Sequence, residues 1–376
     1  MNEYDVVVVG AGIVGAACAG DCADNGLRVA IIESNTVGGG ATAAGMGHIV
    51  TMDDSPAQLA LTRYSQQLWQ DLATTLPASA EYQTIGTIWI AADDEEMREV
   101  ARKHELYERH DIPSKILDAG ALRDAEPNLN PALAGGLLVS QDAVLNASEA
   151  ARFLVQQAVD RGAVLFNAKV VSIGSGIVHL SDGGVLESSR IVNATGADAC
   201  DLTPGLPIRK RKGHLAITGQ HPGFVRHQLV ELGYLKGAGA IAGDSVAFNV
   251  QPRKSGEILL GSSRQYDAAG NDAEPAILQR IMKRGRRYMP GLDKLSVLRS
   301  WAGFRAATPD KLPLIGPYPH DPTIFLAAGH EGLGITTALA TARLLTDRFT
   351  GKDSKIPAEP YLPLQPRLEV MIAKGK

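Results

Sequence analysis

The run Val6-Val7-Val8-Val9 ends directly at Gly10-Ala11-Gly12-Ile13-Val14-Gly15, and a second apolar run, from Arg28 to Ile32, ends at Glu33. A continuous apolar run of this length suits a strand buried on both faces of a parallel sheet, and Gly10 permits the tight turn into a helix. Gly12 lets main chain approach a pyrophosphate. Gly15 lets the helix pack closely on the strand, while main-chain N–H groups at the helix start attract phosphate charge. The Glu33 carboxylate can accept hydrogen bonds from a ribose diol and would repel a 2′-phosphate, so NADP is disfavoured. The spacing predicts a βαβ unit with a dinucleotide over its first turn.

The rest of the chain narrows the class. Its 376 residues can bury a large core, and two interleaved lobes fit that length. A formal net charge of -4 gives no global attraction for nucleic acid or anionic lipid. The first residues include Glu3 and Asp5 and lack a basic n-region, and no apolar stretch is long enough to span a bilayer. A cytoplasmic protein without a transmembrane segment is therefore expected. The 3 cysteines, Cys18, Cys22 and Cys200, are too few for a disulfide framework or for an iron–sulfur cluster held entirely by thiolates. Cys18 and Cys22 read as small packing residues on the first helix, and no metal site is expected.

Further along, Val37 to His48 is rich in small residues and reads as a loop that lets main chain approach a flat ligand. Helices are predicted from Ser55-Pro56 to Ala73, from Asp93 to His110, from a Ser148-Glu149 cap to Arg161, from Glu274 to Tyr288, and after Gly334 to about Thr350. Strands are predicted near 84–91, as a pair within 164–173, at 191–196 and at 324–327, with an antiparallel lobe over 214–263. Two further G-x-G patterns, at Gly174 and Gly237, lack a flanking strand and amphipathic helix, so no second nucleotide domain is implied. The basic run Arg209-Lys210-Arg211-Lys212 reads as a solvated face.

These residues resemble the D-amino-acid-oxidase-like family of FAD enzymes, relatives of glycine oxidase and sarcosine oxidase, over nearly the whole chain. The resemblance is carried by Gly10/Gly12/Gly15 with Glu33, the loop from Thr42 to His48, Asn193-Ala194-Thr195-Gly196, Gly261-Ser262-Ser263, and Gly303-Phe304-Arg305 leading to Pro309-Asp310-Lys311. It implies an α/β (α+β) fold of the glutathione-reductase-2 type: a Rossmann-like FAD-binding domain (1–82, 146–213, 300–364) interleaved with an antiparallel-sheet substrate domain (83–145, 214–299). Ala44-Gly45-Met46-Gly47-His48, Asp53-Asp54-Ser55-Pro56, His227-Gln228-Leu229-Val230 and Gly329-His330-Glu331-Gly332-Leu333-Gly334-Ile335-Thr336 resemble the β subunits of bacterial D-hydroxyproline dehydrogenases. The glycine-oxidising subunits of hydrogen cyanide synthases are similar. Both are parts of assemblies whose other subunits carry flavin and iron–sulfur centres, so any membrane association would run through such partners.

The resemblance also assigns roles. FAD is expected on Gly10, Ala11, Gly12, Ile13, Val14, Gly15, Glu33, Ser34, Thr42, Ala43, Gly45, Met46, Gly47, His48 and Val170. It is also expected on Ala194, Thr195, Gly196, Gly303, Arg305 and the segment His330, Glu331, Gly332, Leu333, Gly334, Ile335, Thr336. The substrate, a small amino acid, is expected to place its carboxylate on Arg305, whose guanidinium can form two parallel hydrogen bonds. Glycine oxidase has an arginine where Gly332 stands, so substrate anchoring differs here. His48 and His330 are candidates for polar contacts near the ring, Glu331 for a substrate contact or a helix cap, and Asn249 or Tyr234 for a contact from the substrate domain. Hydride transfer to flavin N5 would give an imino acid, and no indispensable acid–base residue is expected. Alternatives are a glycine- or sarcosine-type amine oxidase and an electron-relay subunit that binds FAD without turning over substrate.

Overall fold

The computed structural model describes residues 3–233, 244–266, 268 and 270–374. Two compact units are formed, one from Met1–Ala80, Leu145–Lys210 and Phe304–Lys376, the other from Glu81–Val144 and Arg211–Gly303.

The first unit is organised on a six-stranded sheet. Its order is Leu314–Tyr318, Asp321–Ala328, Ile191–Asn193, Val6–Val9, Val29–Glu33, Val164–Asn167. All neighbours are parallel except Leu314–Tyr318, which runs antiparallel at one edge. Val6–Val9 is an inner strand and is buried throughout, as a four-valine run requires. The helix Ile13–Asp24 follows it and packs on Gly334–Thr350 and Ala147–Asp160. Ala16, Ala19, Gly20 and Ala23 on this helix are buried and short, which allows that close approach. Asp21 accepts from Arg343 Nε at 3.0 Å and Nη2 at 2.8 Å. Cys18 and Cys22 are buried, free thiols; burial pushes both up, Cys22 to about 12, so they pack rather than react. A four-stranded sheet, in the order Glu3–Tyr4, Val185–Ser188, Ile177–Leu180, Val170–Gly174, also belongs to this unit.

The second unit holds most of an eight-stranded sheet in the order Val297–Ala307, Arg209–Thr218, Ile258–Tyr266, Ser245–Pro252, Gln228–Glu231, Thr87–Ala91, Gly135–Val139, Ser114–Asp118. It is mixed rather than purely antiparallel, because Gln228–Glu231 runs parallel to Thr87–Ala91. One face carries the core, where Phe248 stacks on Tyr288 of helix Pro275–Tyr288 with ring centroids 4.9 Å apart.

Four local expectations are corrected. The helix Ala147–Asp160 is capped by Asn146, whose side chain accepts from the Glu149 N–H, because Ser148 Oγ instead donates to the Gly38 carbonyl at 2.8 Å. The strands Val164–Asn167 and Val170–Gly174 do not pair with each other. The first adds to Val29–Glu33 and the second to Ile177–Leu180, so they lie in different sheets. The small-residue loop contains one helical turn, Gly40–Ala43. Lys212 is not solvated: its buried ammonium lies 2.8 Å from Glu274 Oε1. The rejected pattern at Gly174 is a hairpin turn, with Ser175 (φ 50°) and Gly176 (φ 78°) between paired strands. The pattern at Gly237 and the candidate Tyr234 lie outside the described residues.

Candidate active site

Two helix N-termini of the first unit converge. The first belongs to Ile13–Asp24, whose N-cap Gly12 leaves the helix without a capping side chain. Gly10 sits at φ 96°, and a Cβ there would stand 2.8 Å from the Ala194 carbonyl oxygen. A Cβ on Gly15 would stand 1.8 Å from the Gly10 carbonyl oxygen, so helix and strand approach at a distance only glycine allows. The Ala194 crossing is held by Asn193, whose Oδ1 accepts from Thr195 Oγ1 at 2.7 Å while Nδ2 donates to Thr203 Oγ1 at 2.9 Å. Ile13 N–H donates to Thr42 Oγ1 at 3.0 Å, tying the small-residue loop to the helix start. Glu33 closes this end. Its carboxylate accepts from Ala11 N–H at 2.8 Å and Asn35 N–H at 2.9 Å, which fixes it beside the first turn.

The second N-terminus belongs to Gly334–Thr350. Leu333 is its N-cap and makes no side-chain capping bond, and no acidic residue occupies its first turn, so the helix presents its positive end there. The Glu331 main chain is held in the left-handed region (φ 53°), and its N–H donates to the Ala306 carbonyl at 2.8 Å. This bond fastens the loop to the strand that bears Arg305. A Cβ on Gly332 would lie 3.6 Å from Arg305 Nε, so the guanidinium stem lies along Gly332. From the other flank, His48 hydrogen-bonds the Gly332 main chain, while its Nδ1 is buried and makes no hydrogen bond. Burial holds this imidazole at about 4 against the opposing Gly332 bond, with Arg305 adding to the depression, so His48 is neutral at physiological pH. Thr336 Oγ1 donates to the His48 carbonyl at 3.1 Å. Gly334 lies against Val14, where its Cβ would be 3.8 Å from Val14 Cγ2, which brings the two helix starts side by side.

His48, Arg305, Glu331 and Gly332 are thus brought together, with Thr336 and Ile335 behind them. A Cβ on Gly45 would meet Ile335 Cδ1 at 2.9 Å, and Met46 is buried beside it in sequence. His330 is buried with Nε2 3.0 Å from Thr341 Oγ1, and burial holds it at about 4. Val170 packs against the cluster that includes Tyr4 and Val7, and Ser34 is exposed, its Oγ accepting from Asn35. Asn249 belongs to the second unit, where it is buried on the strand Ser245–Pro252. Sequence reasoning missed Trp69, whose indole donates to the Ile335 and Thr336 carbonyls at 3.1 Å and so steadies the helix start. An aromatic residue on the apolar face of helix Pro56–Ala73 was the only available signal.

A parallel sheet, a glycine-lined first turn, an acidic residue closing the second strand and a second uncapped helix start define a dinucleotide-binding oxidoreductase. More narrowly, the chain belongs to the DAO family, FAD dependent oxidoreductase, which matches residues 5–348. It is similar to the glycine oxidase of Pseudomonas putida, 29% identical over 95% of this chain and 98% of that one. It is also similar to the hydrogen cyanide synthase subunit HcnC of Pseudomonas aeruginosa, 26% identical over 94% of each chain. Among solved structures, glycine oxidase from Geobacillus kaustophilus superimposes with a TM-score of 0.87 at 25% identity, covering 97% of this chain and 99% of that one. FAD is the cofactor, and the residues fit it: a cradle that a Cβ at Gly10 or Gly15 would disrupt, a carboxylate fixed for a ribose, and an orphaned buried His48 Nδ1. Among the described residues no acidic, histidine or cysteine cluster forms a metal site, and no helix is long and apolar enough to cross a membrane.

Proposed function

We propose that this chain oxidises a small amino acid at its α-carbon–nitrogen bond and that the substrate is D-hydroxyproline or a D-proline-like imino acid. We infer that it works as the catalytic subunit of a cytoplasmic multi-subunit dehydrogenase. The observation that carries the reading is the placement of Arg305 along Gly332, with neutral His48 on the other flank.

The diphosphate of FAD would lie at Gly10–Gly15, its ribose at Glu33 and its ring toward the loop 329–334. Bound there, FAD supplies a two-electron acceptor for a hydride. The chain supplies positioning. Arg305 grips the carboxylate, which fixes the orientation of the adjacent α-C–H. His48, being neutral, adds no second positive charge to repel a substrate ammonium, and its unprotonated nitrogen can accept an N–H. The start of Gly334–Thr350, with no acidic residue in its first turn, stabilises negative charge gathered beside it.

A second reading, glycine as substrate, is supported by the similarity to glycine oxidases. It is opposed by Gly332, which stands where the glycine oxidase pattern carries a second arginine. Anaerobic addition of D-hydroxyproline, D-proline, glycine and sarcosine to the holoprotein separates the two. Bleaching of the visible flavin absorbance by the D-imino acids is expected. Bleaching by glycine alone would move the assignment to the second reading.

A further inference from the structure

Helix Pro56–Ala73 of the first unit turns a polar stripe inward, between Leu59 and Leu61, where an amphipathic helix ordinarily packs apolar side chains. Gln58, Thr62, Ser65, Gln66 and Trp69 recur at helical spacing, so they share one face, and all five are buried. Burying polar groups is costly unless each is bonded, and here each is.

Two segments of the site receive these bonds. Gln58 Oε1 accepts from Asp54 N–H at 3.0 Å, Thr62 Oγ1 from Met52 N–H at 3.3 Å, and Gln66 Oε1 from Thr51 Oγ1 at 3.3 Å, which anchors the chain just past His48. Ser65 Oγ accepts from Ala340 N–H at 3.2 Å, and Trp69 Nε1 donates to the Ile335 and Thr336 carbonyls, both at 3.1 Å, which anchors the start of helix Gly334–Thr350. Thr336 joins the two segments, because its Oγ1 donates to the His48 carbonyl at 3.1 Å and accepts from Val50 N–H at 3.2 Å.

Trp69 differs from the other four in what its bond does. The peptide unit between Ile335 and Thr336 carries at one end the carbonyl that Trp69 holds, and at the other the Thr336 N–H, a first-turn donor of the helix. A donor on that carbonyl fixes the direction of the unit and polarises it, so the N–H becomes more positive. Ser65 acts at Ala340, beyond the first turn, where a peptide contributes little to the field at the helix end.

We propose that Trp69 is a positioning residue for the flavin: its indole N–H aligns the first-turn peptide of Gly334–Thr350 and so stabilises the negative charge that the ring gains on reduction. The role rests on FAD lying with its ring toward the loop 329–334, and extends that reading to a side chain on another helix.

The reduced-to-oxidised ratio of the holoprotein's flavin, measured against a reference dye during slow anaerobic reduction without an amino acid, tests it. Trp69→Phe deletes the N–H and keeps an aromatic ring. Placing 3-benzothienylalanine at position 69 keeps the bicyclic shape and replaces only the N–H by sulfur, so the test holds even where Trp69→Phe folds poorly. Either should lower the ratio about two- to fivefold at a given potential. That equals about 9–21 mV for a two-electron couple. Ser65→Ala, which removes a bond to the same helix, should lower the melting temperature and leave the ratio unchanged. An unchanged ratio in both position-69 variants overturns the role of Trp69, as does an equal fall in Ser65→Ala, because general loosening of the helix would then account for it. Gly334→Asp reads the ring placement itself, since a Cβ there meets only ordinary contacts at 3.5 and 3.8 Å. A lowered ratio or lost flavin is expected from that acid at the helix start. An unchanged ratio in Gly334→Asp means that the ring placement has failed, whereas a fall there with none in the position-69 variants removes Trp69 alone.

Discussion

Alanine at position 15 should separate the nucleotide cradle from ordinary helix packing. Its Cβ would be placed 1.8 Å from the Gly10 carbonyl oxygen and 3.2 Å from Ala194 Cβ. Restoring even a 3.0 Å approach requires the helix Ile13–Asp24 to move about 1.2 Å from the strand, and neither contact belongs to a flexible side-chain tip. Overpacking of this kind costs about 1–3 kcal/mol and shifts the very N–H groups that would face the diphosphate. Gly20 on the same helix provides the control, because a Cβ there would meet Leu154 O at 3.6 Å and Leu154 Cδ2 at 3.9 Å, ordinary contacts. Gly20→Ala should therefore stabilise by up to about 1 kcal/mol through helix propensity. The assay is paired: flavin absorbance per protein after purification, and thermal melting. Gly15→Ala should lose most of its flavin and melt earlier, while Gly20→Ala should keep its flavin and melt no earlier than the wild type. Full flavin content in Gly15→Ala, or equal damage in both variants, would refute the reasoning.

Glu33→Ala removes a carboxylate that accepts from two main-chain N–H groups. FAD affinity, read by fluorescence titration of the apoprotein, should fall about 10- to 100-fold. His330 is buried and held at about 4, below its ordinary 6.5, so the unfolded chain takes up a proton that the folded chain refuses. Its contribution to stability is complete above 6.5, is lost progressively as pH falls toward about 4, and is constant below. His48 contributes with the same sign. His330→Gln should flatten the acid limb of a melting profile by up to about 3 kcal/mol; an unchanged profile would show that His330 already protonates freely.

Elements governed by neighbours in sequence were legible almost to the residue. Ser55 caps Pro56–Ala73 by accepting from Gln58 N–H at 3.1 Å, and Asp93 caps Asp94–Arg109 by accepting from Glu96 N–H at 2.9 Å. Where distant groups compete, local reading failed. Ser148 caps nothing because Gly38, 110 residues away, takes its hydroxyl. Lys212 sits in a basic run yet is buried, because Glu274 reaches it from the start of a later helix. The site divides in the same way. The glycines and Glu33 announce a dinucleotide through a mechanism contained within one βαβ unit. By contrast, the meeting of His48, Arg305 and Gly332 depends on three separate segments, and resemblance alone singled them out.

The central claim is that a guanidinium holds an amino acid's carboxylate beside a bound flavin. Anaerobic titration of wild type and Arg305→Ala with D-hydroxyproline tests it most directly, because flavin content and flavin reduction are read from the same spectrum. The account predicts that both proteins are yellow, that the wild type bleaches, and that Arg305→Ala bleaches only at far higher substrate concentration or not at all. Equal bleaching of the two proteins at equal substrate would contradict it, as would a yellow wild type that no amino acid can bleach.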